Sequence, residues 1–124
     1  MKAIALYRGD LLAETPYEDW ALLSREALRV RYLDVLDRLA ALHLERGEYG
    51  SCVTIAQFIL QQDPCREDAH RLLMRCYARQ QRHQEAARQF ELCARTLAAQ
   101  LGNGPSQATV ELHRSLHLNG PRSN

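Results

Sequence analysis

A chain of 124 residues, 46% hydrophobic and 25% charged, has room for one domain with its own core, burying roughly two-thirds of the surface its unfolded form exposes. Its 6 Gly and 4 Pro exclude collagen-like and low-complexity material. With 16 Lys and Arg against 15 Asp and Glu the formal charge is +1, so the chain lacks the positive excess that a self-sufficient DNA-binding surface brings to phosphates.

The first apolar stretch, Met1 to Leu6, is short and runs at once into charged residues, so neither an export signal nor a membrane span is expected, and the cytoplasm is the expected compartment. Thr15-Pro16-Tyr17-Glu18 combines a capping hydroxyl, a proline at the first helical position and a carboxylate that reaches back to the cap. The first long helix is therefore predicted from about Pro16. No Gly or Pro interrupts it before Arg46, and Trp20, Leu23, Ala27, Leu28, Tyr32, Leu36, Leu39 and His43 recur at spacings that predict its buried face. Gly47 is the predicted stop.

A second helix is predicted from Tyr49 to Gln62, with Cys52, Val53, Ala56, Ile59 and Leu60 inward and Asp63-Pro64 ending it. A third runs from Arg66 to Gln80 on Ala69, Leu72, Leu73, Cys76 and Tyr77, and a fourth from Gln84 to Ala99 on Ala86, Ala87, Phe90, Cys93 and Leu97. Gly102-Asn103-Gly104-Pro105 breaks the chain, and Ser106 can cap a last helix to about His117. Residues 1–118 read as one domain and 119–124 as a disordered tail.

Shifting the sequence by 34 residues superposes Leu39 on Leu73, His43 on Tyr77, Gly47 on Gln81, Cys52 on Ala86 and Ala56 on Phe90. That period is the tetratricopeptide length. The expected fold is all-α: TPR-like stacked antiparallel helix hairpins, a fragment of an α-solenoid. Gln81 departs from the pattern, since glycine is the residue that turns here without steric cost, and the second turn is expected to be built differently.

Taken together, Tyr7-Arg8-Gly9-Asp10-Leu11-Leu12, Trp20 with Arg25 five residues on, Asp63-Pro64 followed by Glu67, and Leu101-Gly102 before Pro105-Ser106 resemble the bacterial transcriptional activator domain over nearly the whole chain. The resemblance implies a bundle of TPR-like helix pairs found behind a winged-helix DNA-binding domain in antibiotic-regulatory-protein-type regulators. It implies protein contacts, self-association or effector sensing, with DNA contacted only through a separate domain, and it brings no catalytic residues.

Arg71, Arg75, Arg79 and Arg82 form a guanidinium stripe at spacings of four, four and three. The first three fall where the leading helix of a repeat lines the concave groove, placed to bind carboxylates or phosphates as forks. The simpler account is a solvated helix face paired with Asp34, Asp37 and Glu45 at the matching positions of the first repeat.

His113 and His117 lie one turn apart without a third ligand, so no metal site is expected. Cys52, Cys65, Cys76 and Cys93 form no C-x-x-C pair and read as reduced thiols. Trp20, at helical spacing from Leu23 and Ala27, reads as core, and Arg8-Gly9-Asp10 as the end of a short opening helix. No phosphate-cradling loop or nucleophile motif appears, and no enzyme activity or cofactor is expected. Two functional readings remain: an interaction module acting by partner binding or self-association, and a sensor holding a small anionic effector in the groove.

Overall fold

The structure, a computed structural model, describes residues 17–119, with side chains from 19 to 117. All regular structure among them is helical: α1 (Tyr17–Glu45), α2 (Tyr49–Gln62), α3 (Glu67–Arg79), α4 (His83–Leu101) and α5 (Gln107–Asn119). The predicted Thr15 cap, the Arg8-Gly9-Asp10 segment and the tail beyond Asn119 lie outside the described residues. Helix α5 runs on through Asn119, past the expected start of the tail.

The chain divides into two compact units, Met1–Asp34 and Val35–Asn124. In the first, α1 exposes Leu22, Leu23, Leu28, Val30 and Tyr32, and Trp20 is 45% exposed rather than core. This helix has almost no apolar asymmetry around its axis, so spacing alone could not select its buried side.

In the second unit, α2 and α3 pack as one antiparallel pair and α3 and α4 as the next, with α5 against both α3 and α4. The remainder of α1 buries Ala40 and Leu44 there, whereas Leu39, expected inward, is exposed. Cys52, Ala56 and Ile59 of α2, Ala69, Leu72, Leu73, Cys76 and Tyr77 of α3, and Ala86, Cys93 and Leu97 of α4 are buried as their spacing predicts. Val53, Leu60 and Phe90 are half-buried and Ala87 is exposed. The small side chains of Cys52 and Ala86, 34 residues apart, are both buried.

The two interhelical turns repeat atom for atom. After α1 the amide of Glu48 donates to His43 O at 2.8 Å around Gly47, and after α3 the amide of Arg82 donates to Tyr77 O at 2.7 Å around Gln81. Gly47 has φ +77° and Gln81 φ +64°. The second turn is thus built like the first, contrary to expectation, and Gln81 accepts a left-handed backbone that a side chain disfavours.

Between α2 and α3, Asp63 accepts the Cys65 amide at 3.2 Å beside Pro64, and Arg66 grips Asp37 through Nε at 3.0 Å and Nη2 at 2.7 Å. Gly102, at φ +72°, ends α4. No helix among the described residues is long and apolar enough to cross a membrane.

Candidate partner-binding groove

The stripe predicted on α3 separates into unlike environments. Arg71 is tied down: Nη1 donates to Thr109 Oγ1 at 2.7 Å, and Nη2 pairs with Asp68. Arg79 is exposed, and its one hydrogen bond among the described residues is a long one of 3.5 Å to the Tyr49 hydroxyl. Arg82 lies beyond the helix, its guanidinium 4.7 Å from the Tyr77 ring centroid, 3.1 Å from Gln80 Oε1 and 3.7 Å from Glu85. It does not line the groove. None of the four pairs with Asp37 or Glu45.

Arg75 is the exception. It is half-buried and has neither hydrogen bond nor ion pair with any described residue. Burial, then the adjacent charges of Arg71 and Arg79, hold its guanidinium below the ordinary range, with Asp68 offsetting them only in part. It stays charged at neutral pH.

Two cavities meet at this side chain. One, of about 560 Å³, has Arg75, Arg79, Gln81 and His83 on one side and Leu112 and Leu116 of α5 on the other, and no carboxylate lines it. The second, about 350 Å³, continues past Asp68, Arg71 and Leu72 to Asp37, Arg38 and Ala41 of α1. Both cavities lie along α3, the leading helix of its repeat, and share Arg75 as a common groove wall.

The second wall depends on the docking of α5. Glu67 Oε2 accepts the Ser106 amide at 2.8 Å and the Thr109 hydroxyl at 2.7 Å. The Ser106 hydroxyl accepts the Thr109 amide at 3.4 Å, the cap predicted from sequence. Burial pulls Glu67 upward, yet the bonds from Thr109 and Ser106 and the nearby Arg71 outweigh it and leave the carboxyl below its ordinary range. At the other end His113 stacks on Phe90 with ring centroids 3.9 Å apart.

Sequence reasoning missed this Glu67–Thr109–Arg71 hub, since its members lie 38 and 42 residues apart. It also missed a buried pair between α3 and α4. His70 Nε2 donates to Pro64 O at 2.8 Å, and Gln89 Nε2 donates to its Nδ1 at 2.8 Å. Its position on the apolar side of α3, between Ala69 and Leu73, was the only signal.

The histidines considered as a pair, His113 and His117, have ring centroids 6.5 Å apart, and no set of three metal-capable side chains occurs among the described residues. The four cysteines are free thiols. The bond to Cys52 and then burial push Cys76 well up, and burial pushes Cys93 up to about 11, so both stay protonated.

Helices packed against their neighbours in sequence, with turns that repeat at a 34-residue offset, define a tetratricopeptide-like helical domain. Residues 1–117 match the bacterial transcriptional activator domain, and the chain belongs to that family of transcription-regulator domains. No curated protein matches the chain, and no solved structure matches it.

Proposed function

We propose that this domain is a non-catalytic regulatory module of a transcriptional regulator, working inside the cell by binding a protein partner through the groove at Arg75, while a separate domain contacts DNA. The observation that supports this reading is a half-buried guanidinium that forms no hydrogen bond or ion pair with any described residue, flanked by two others and only partly offset by Asp68. Folding alone gains nothing from that arrangement, because desolvating an unpaired charge opposes it. A carboxylate from outside supplies the missing partner.

Self-association fits the same groove if an acidic segment of a second copy enters it, and light scattering over a concentration series separates that case from a hetero-partner. A small anionic effector is the second reading, favoured by the absence of any carboxylate around the larger cavity.

The test compares Arg75→Glu and Arg75→Met in the purified domain. A labelled acidic peptide is expected to lose at least about tenfold in affinity with either variant, while Arg75→Met keeps or raises the thermal midpoint, by up to about 1 kcal/mol of stability. Unchanged peptide binding in Arg75→Glu, or a large loss of stability in Arg75→Met, rejects the reading.

A further inference from the structure

We infer that the groove recognises a partner segment carrying a carboxylate side chain together with a bulky apolar one, rather than a free small anion. This rests on the reading of Arg75 as an acceptor of acidic partners, and it names the partner's chemistry. A compact, multiply charged anion needs several donors converging on it, and Arg71, the natural third member, is already held by Asp68 and Thr109. What remains on that wall is Arg75 and Arg79.

The facing wall is apolar. Leu112 and Leu116 of α5 stay partly exposed, so covering them with hydrocarbon is favourable while a phosphate gains nothing from them. A second cavity shares Arg75 and reaches Asp37, Arg38 and Ala41 of α1, which gives a run of chain more surface to lie along than a small anion uses.

Gln81 is an independent pointer. The equivalent turn residue of the first repeat is Gly47, yet here a side chain is kept at φ +64° on the groove's rim. Its Oε1 lies 3.2 Å from His83 Nε2, which donates to it, and its side-chain nitrogen Nε2 has no partner among the described residues, the backbone amide alone being bonded, to Ala78 O. That leaves two N–H donors at the groove for the carbonyl groups of a bound segment.

The experiment uses the purified domain and three labelled 12-residue peptides in fluorescence anisotropy: one with interspersed Glu and Leu, one with each Leu replaced by Ser, and one with each Glu replaced by Gln. The first is expected to bind at least about tenfold tighter than either control. Leu112→Gln should abolish the preference over the Ser peptide, Arg75→Gln the preference over the Gln peptide, and Arg82→Gln neither, with circular dichroism confirming that each variant is folded. Pyrophosphate should fail to displace the first peptide at concentrations up to a thousandfold above it.

Equal binding of the Glu–Leu and Glu–Ser peptides, or displacement by pyrophosphate, overturns this inference and leaves the acid-binding role of Arg75 standing. Equal binding of the Glu–Leu and Gln–Leu peptides, or loss of no affinity in Arg75→Gln, removes both.

Discussion

At the scale of single residues, Gln81 and His70 carry consequences that can be measured without knowing the partner. Gln81 holds a left-handed backbone at φ +64°, a conformation that costs a side-chain-bearing residue about 1 kcal/mol relative to glycine. Gln81→Gly is therefore expected to raise the thermal midpoint by a few degrees while weakening peptide binding, a trade of stability against function. A lower midpoint would show that the turn is not strained.

His70 is neutral in the fold, since one ring nitrogen donates to Pro64 O and the other accepts from Gln89. Burial, chiefly, lowers its proton affinity, with the Pro64 bond and Glu67 opposing. The unfolded chain takes up this proton near the ordinary value of 6.5, and the folded chain only at lower pH. His70 thus favours folding above the ordinary value, and that advantage falls away as pH drops through 6.5 toward the lowered folded value. Urea midpoints on either side of this window should differ, and His70→Leu should flatten the difference even as it leaves Gln89 unpaired and lowers stability overall. An unchanged slope in the variant would assign the pH dependence elsewhere.

At the scale of elements, α5 is the piece whose attachment rests most on polar contacts. Thr109 donates to Glu67 and accepts from Arg71 while fully buried. Thr109→Val keeps the shape and removes both bonds, leaving two charged groups short of a partner, at about 1–3 kcal/mol. Faster amide exchange should then appear in α5 before the helix pairs. Uniformly faster exchange throughout the domain would mean that α5 and the pairs open together. Because α5 supplies Leu112 and Leu116, the same variant should weaken Glu–Leu peptide binding more than Glu–Ser binding.

At the scale of the whole molecule, the order of helices, their ends and the 34-residue offset were all legible in the chain. These features are local: Gly47 and Gly102 admit the left-handed backbone that ends a helix, Pro64 cannot continue one, and the inward faces of α3 and most of α4 follow from spacing along one helix. The family is legible in part for a related reason, since two of the motifs that carry the resemblance, Asp63-Pro64 with Glu67 and Leu101-Gly102 with Pro105-Ser106, lie where one helix ends and the next begins.

Only the tertiary structure decided which side of α1 is buried, because a helix whose apolar and charged residues are spread evenly around its axis is turned by its neighbours and not by its own pattern. It likewise decided that Arg71 is spent on Thr109 and Asp68, that Arg82 rests on Tyr77, and that Arg75 pairs with no carboxylate among the described residues. Four arginines identical in type and nearly regular in spacing differ in role because a charge is neutralised by groups close in space, and those groups come from helices brought together only by folding.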